Sequence, residues 1–229
     1  MFTFSNKYYL PKPYLSYSAI SSFMSYPADF RARYYENKPM IVTPELAFGK
    51  RIGELLEHND ESMKHVLRYD TAEQELKFDV DGIPILGYID TFDSVKHKVG
   101  EYKTGKTPWT QARVNKHLQL DIYSLGVETI FGSVDDECVL VWLETQKREL
   151  PQGGRRTHAG AYEIEFTGKV KEFVRTITKE DRENAYNTII RVAQDISEDY
   201  TDWLSSQEQK TQSQSVVRGG RVPYVHASR

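Results

Sequence analysis

Residues 83–106 read IPILGYIDTFDSVKHKVGEYKTGK. Apolar, β-branched and aromatic residues fill Ile83 to Phe92 and return from Val99 to Lys103. Turn-forming residues near Lys96 to Lys98 separate the two runs, which is the pattern of a β-hairpin. The first strand carries Asp90 toward its end, and the second opens on Val99-Gly100-Glu101. A hairpin of this length brings Asp90 close to Glu101 across the sheet. Side chains alternate between the faces of a strand, so Glu101 and Lys103 share one face and Tyr102 takes the other. Two carboxylates and an ammonium thus converge at one end of the hairpin.

The Glu-x-Lys triplet carries no weight by itself, because Glu36/Lys38, Glu75/Lys77 and Glu208/Lys210 repeat it. Only Glu101/Lys103 follows an apolar strand that ends in an acid. Asp90, Glu101 and the Tyr102 carbonyl are hard oxygen donors of the kind that magnesium and manganese take. Lys103 would stand where it can orient a water or stabilise charge on a scissile phosphate. The same residues also fit an ordinary surface ion pair on a hairpin, worth ~0–1 kcal/mol. Downstream, Gln119 and Tyr123 lie at i and i+4 of a helical stretch and share one of its faces. An amide and a phenol there can position a phosphate or flank a base, or can pair with each other in a core.

Outward from the hairpin, helical spacing predicts helices from Ser16 with Ser18 as N-cap, from Ala28 to about Tyr35, and from about Pro44 to His58. Strand-like residues begin at Glu73 and turn at Asp81-Gly82. A helix is expected from about Thr110 to Phe131 and a strand from Cys138 to Gln146. A loop then follows from Arg148 to Gly160, with strands over Ala161 to Phe166 and Glu172 to Thr178. Ala185, Ile189, Val192, Ile196, Tyr200 and Trp203 recur every three or four residues and predict an amphipathic helix over Lys179 to Leu204. This order describes one α/β domain with a mixed central β-sheet flanked by helices, over residues 1–204, rather than regular βαβ alternation. Residues 205–229, rich in Ser, Gln, Lys and Gly, read as a flexible basic tail.

Composition narrows the classes. The 229 residues are 39% hydrophobic and 12% aromatic, which is not the make-up of a disordered chain. The net charge is −3, so any basic surface for nucleic acid must be local. The single cysteine, Cys138, excludes an internal disulfide and a four-thiolate cluster, and its place in Cys138 to Leu143 predicts a small apolar filler of a strand. No run approaches the ~18 apolar residues of a membrane span and no secretory leader is visible, so a cytoplasmic setting is expected.

Taken in order, GYID (87–90), GEYKTGK (100–106) and QLDIY (119–123) resemble the PD-(D/E)xK nuclease superfamily, specifically its RecB-like exonuclease branch. Upstream, LSYSAISSFMSYPADFRARYY (15–35) is similar to the N-terminal segment of that branch, and AFGKRIGELLE (47–57) to its Gly-x-x-x-His helix. The resemblance implies a restriction-endonuclease-like core and a DNA exonuclease dependent on Mg2+ or Mn2+. It implies Asp90, Glu101, Lys103, Gln119 and Tyr123 as catalytic residues, with Asp90, Glu101 and Tyr102 at the metal. Tyr26 stands where iron–sulfur members place a cysteine before Pro27, so no iron–sulfur cluster is expected. The motif histidine falls on Gly53. Four residues on, Glu57 points ~40° from the Gly53 direction, whereas His58 points ~140° away. Glu57 is therefore the expected replacement carboxylate.

Lys106, Trp109, Arg113, Lys116 and His117 are the expected DNA contacts, with Trp109 as a stacking ring. Arg148, Arg155 and Arg156 are a candidate second rim. Each could equally be part of a solvated face. The partners implied are single-stranded DNA or DNA ends, and a single-strand annealing or binding protein, in phage or bacterial recombination, repair or replication. TGKT at 104–107 lacks the upstream glycine of a phosphate-binding loop. Two other readings stay open: an endonuclease specific for DNA structures or ends on the same fold, and a catalytically silent DNA-end-binding module, for which the missing histidine is the motive.

Overall fold

Asp81 and Gly82 both take positive φ, 54° and 84°, the two-residue turn whose twist suits a tight hairpin. It joins β1 (Thr71–Val80) to β2 (Ile83–Asp93), paired antiparallel from Val80↔Ile83 to Thr71↔Phe92. At the far end of β2, Asp93 Oδ1 accepts the N–H groups of Val95 and Lys96. His97 takes φ 55°, and the chain reverses into β3 (Lys98–Gly105). Both turns fall where the sequence predicts them. The computed structural model describes residues 7–149 and 162–219.

The meander continues through two helices into β4 (Glu137–Glu149), which lies parallel to β3, and β5 (Tyr162–Thr176), antiparallel to β4. The five strands lie in chain order in one mixed sheet, as expected. Cys138 to Leu143 is buried throughout, because both faces of β4 are covered. Leu140 and Trp142 face the larger core, shared with α1 (Tyr17–Ser25), α5 (Leu118–Phe131) and α6 (Lys179–Gly219). Val139, Val141 and Leu143 meet Ile52 and Leu56 of α3 (Pro44–Glu57) on the other face. Full burial of each such side chain contributes about 1.5–3 kcal/mol. Cys138 is the expected strand filler, and burial pushes its thiol up to about 12. Among the described residues no helix is long and apolar enough to cross a membrane.

Several local expectations are corrected. The N-cap of α1 is Ser16, whose Oγ accepts the Ala19 N–H, not Ser18. The helix expected over Thr110 to Phe131 is two, α4 (Gln111–Val114) and α5. Arg175 accounts for the break: its guanidinium donates to the carbonyls of Val114 (3.3 Å) and His117 (3.2 Å), which a continuous helix would use itself. The two expected strands after the loop are the single β5, with a register shift opposite Leu143/Thr145. Arg148, expected in a loop, belongs to β4 opposite Glu163. Residues 150–161, which hold most of the expected loop with Arg155 and Arg156, lie outside the described residues.

α6 continues past Leu204 to Gly219, where a flexible tail is expected. Gln, Glu and Lys are good helix formers. Ser205 and Thr211 also fold their hydroxyls back onto the carbonyls of Thr201 and Gln207, a local bond compatible with a helix.

Candidate active site

β2 and β3 pair only from Asp93↔Lys98 to Thr91↔Gly100. Beyond that rung β3 turns to its parallel partner, with Glu101↔Leu140 and Lys103↔Trp142 in register. The approach at the last rung is close: a Cβ on Gly100 would meet Thr91 Cγ2 at 2.5 Å and its carbonyl at 3.1 Å. Asp90 sits in the crotch of the fork, where its Oδ2 accepts the Tyr102 N–H at 2.7 Å. This bond satisfies a backbone donor that the ladder has released. The fork thus sets Asp90 beside Glu101, as the hairpin length predicts.

The face assignments also hold. Lys103 Nζ donates to Glu101 Oε1 at 2.5 Å and to Gln119 Oε1 at 2.8 Å, and Gln119 Nε2 donates to Tyr123 Oη at 3.1 Å. Tyr102 points the opposite way, its hydroxyl on the Leu67 carbonyl. Gln119 and Tyr123 are both buried, so they form one hydrogen-bonded chain with the lysine instead of two separate ligand contacts. Gly87 permits this packing, because a Cβ there would stand 2.8 Å from Tyr123 Cε1.

Charge at the fork is unbalanced. Burial raises the Asp90 carboxyl to about 8, and neighbouring Glu101 adds to the effect. Burial also raises Glu101, opposed by Lys103. Lys103 stays protonated: burial alone would lower it, but the adjoining Glu101 and Asp90 carboxylates raise it. Glu101 is 2% exposed, and its Oε2 has no hydrogen-bond partner. A buried carboxylate oxygen without a partner is costly, and a divalent cation would satisfy it. The fork opens into a cleft of about 700 Å³, whose wall carries Glu54, Glu57, Glu73, Asp90 and Glu101. Hard oxygen donors on an acidic cleft fit magnesium or manganese, which hold several waters beside one or two carboxylates.

Glu57 and Gly53 line this cleft together, as the helix geometry predicts. Among the described residues, however, no group of three His, Cys, Asp or Glu side chains is close enough to hold an ion. Glu57 is therefore on the wall and not in a ligand cluster with Asp90 and Glu101. Gly53 leaves open space, since a Cβ there would meet nothing within 4 Å. The carboxylate that sequence reasoning missed is Glu73. Asp90 and Glu57 both raise it, after its own burial. Counting the register back from the Asp81-Gly82 turn places it opposite Asp90, which was the available signal. Its backbone has φ 48°, uncommon for a residue with a Cβ.

Of the expected DNA contacts, Trp109, Arg113, Lys116 and His117 line, together with Lys103, one cleft of about 470 Å³ next to the fork. Lys106 does not join them; it faces a separate cleft with Glu45 and Lys147. Trp109 is only 8% exposed, with the Arg113 guanidinium 3.8 Å over its ring and His117 at 4.9 Å. It is a packed platform for Arg113, not an open stacking ring. Burial, then Lys103, lowers His117 to about 3, so it is neutral. Arg148 is paired with Glu163 and Glu165 across the β4/β5 ladder.

A family model for the PD-(D/E)XK nuclease superfamily matches residues 50–202, two thirds of the 229 residues, and the chain belongs to that superfamily. It is accordingly a nuclease. The match begins at Lys50, so α1, α2 (Pro27–Tyr34) and the chain before them precede it. Solved structures with a similar fold include a candidate exonuclease from Eubacterium rectale, at 11% identity and TM-score 0.47, covering 86% of this chain and 88% of that one. A phage-related exonuclease from Haemophilus somnus 129PT has 10% identity and TM-score 0.47, covering 83% and 82%. No curated protein matches the sequence.

Proposed function

We propose that this nuclease is a divalent-metal-dependent DNA exonuclease whose reacting centre is the β2/β3 fork. The observation that carries the reading is the Glu101 carboxylate: one oxygen is held by Lys103, and the other is buried without a partner beside Asp90, in an acid-walled cleft. Asp90, Glu101 and the Tyr102 carbonyl are the residues that would hold magnesium or manganese, with Glu57 and Glu73 facing the same space. The metal would supply Lewis-acid activation of water and phosphate. Lys103 keeps its proton and is placed to stabilise charge on the phosphate or to orient the water. Gln119 fixes the ammonium through its Oε1, and Tyr123 fixes Gln119. Arg113 and Lys116, in the adjoining cleft, would hold the DNA backbone.

The exonuclease assignment and a place in phage or bacterial recombination, repair or replication, beside a single-strand annealing or binding protein, rest on the motif resemblance. The test is cleavage of end-labelled linear and covalently circular DNA, with Mg2+, Mn2+ or chelator. Metal-dependent loss of linear DNA with circles intact is expected. Cutting of circles would replace the exonuclease by an endonuclease, and inertness of folded protein under both metals would leave a silent end-binding module.

A further inference from the structure

Two clefts meet at Lys103 and a third adjoins them at Tyr17, and their charge differs sharply. The cleft at the fork is walled by five carboxylates. The cleft of Arg113 and Lys116 has none. A third cleft, of about 400 Å³, lies between β2, α5 and the chain that leads into α1 and α2, and it too is lined by no carboxylate. Its wall carries Lys12, Tyr14, Tyr17, Arg33, Tyr34 and Tyr88. Tyr17 lines both acid-free clefts, and Lys103 lines both the second cleft and the fork. Gln119 and Tyr123 form the inner wall of the third cleft, so it ends against the hydrogen-bonded chain that holds Lys103.

Two of the groove's rings show much of their surface to solvent, whereas Tyr17 and Tyr34 pack against the core. Tyr88 is 44% exposed and Tyr14 37%. Tyr88 is anchored at its tip by a hydrogen bond from its hydroxyl to Glu75 Oε2 at 3.0 Å, which holds the ring in place while a face stays open. Tyr34 is backed by Phe30 at 4.5 Å. Lys12 and Arg33 are exposed, and no carboxylate among the described residues pairs with either. On a chain of net charge −3, a groove with two cations, two exposed tyrosines and no carboxylate in its own lining selects for an anion that carries flat apolar groups. An unpaired polynucleotide has that chemistry: phosphates for the cations and bases for the rings. A duplex keeps its bases stacked inside and offers the rings nothing.

We propose that the groove of Lys12, Tyr14, Arg33 and Tyr88 is a binding site for single-stranded DNA, which leads an unpaired strand past Tyr17 to Lys103. This rests on the nuclease reading of the fork for its direction, but the groove's affinity can be measured apart from cleavage. The experiment is fluorescence anisotropy of labelled oligothymidylate and of a blunt duplex of equal length, in chelator, with the full chain. Wild type should bind the single strand more tightly. Tyr14→Ala with Tyr88→Ala should weaken single-strand binding by about fivefold or more for each ring that stacks a base, leave duplex binding unchanged, and keep the wild-type circular dichroism. Lys12→Ser with Arg33→Ser should lower the salt slope of single-strand binding by about 0.7 per side chain.

Unchanged single-strand affinity in both double variants, or an equal loss on duplex, overturns the groove. Metal-dependent cleavage by wild type is scored separately. Cleavage with unaltered oligonucleotide binding in the variants rejects the groove alone. No cleavage, with the expected binding pattern, rejects the nuclease centre and leaves the groove standing.

Discussion

Replacing Lys103 by Ala should damage the protein in two separable ways. The ammonium sits 2.5 Å from Glu101 Oε1, with side chains 27% and 3% exposed, so the pair is shielded from water. Removing one partner of a buried pair costs about 3–5 kcal/mol, because the other charge is left uncompensated. Glu101 can take up a proton in response, which puts the expected loss near the lower end, about 3 kcal/mol. That is within the 5–15 kcal/mol of a typical domain, so the variant should still fold. Urea unfolding would show a lower midpoint at unchanged slope. Glu101→Gln should be destabilising too, and the double variant should lose less than the sum, with a coupling of about 1–3 kcal/mol. All three variants should lose at least ~10²-fold in cleavage. Strictly additive destabilisation would refute the placement of Lys103 on Glu101.

Gly53→His builds a potential ligand into space where a Cβ meets nothing; it should tighten Mn2+ binding in calorimetry about tenfold or more, and unchanged affinity would show that the helix wall does not reach the ion. Metal-free protein should lose stability as pH rises from ~4 to about 8, because folded Asp90 keeps its proton to about 8 while the unfolded group releases it near 3.9. Glu101 and Asp121 are shifted the same way; buried His117 acts oppositely, but only up to its unfolded value of ~6.5, so a thermal midpoint that rises between pH ~7 and ~8 in chelator would contradict the burial of Asp90. Gly87→Ala puts a Cβ 2.8 Å from Tyr123 Cε1; it should cost about 1–3 kcal/mol and slow cleavage by displacing Gln119, while a neutral effect would show that the Tyr123 ring can move aside freely.

What the sequence disclosed were consequences of local geometry. Strand parity puts Glu101 and Lys103 together, and a short hairpin brings Asp90 to them, without reference to the rest of the chain. The start of α3 at Pro44 is another such consequence, and the structure adds its cap, Thr43 Oγ1, which accepts the Leu46 N–H. The parallel pairing of β3 with β4, which opens the fork, joins segments separated by α4 and α5 and leaves no local mark. The break at 115–117 is equally remote in origin, since the guanidinium that stabilises it comes from β5. Trp109 reads as an exposed stacking ring only until Arg113 and His117 are known to cover it. Glu73 was legible through the register of the first hairpin. The residues of α1 and α2 were legible as helices, but not as one wall of a groove, because β2 and α5 supply the other.

The central claim is that Asp90 and Glu101 together hold the cation that cleavage requires. Calorimetric titration of Mn2+ into wild type, Asp90→Asn and Glu101→Gln, each checked for folding by circular dichroism and assayed in parallel on end-labelled linear DNA, tests it most directly. Wild type should bind Mn2+ and degrade the DNA, and each variant should lose both together. Binding of Mn2+ by folded Asp90→Asn or Glu101→Gln with wild-type affinity would contradict it.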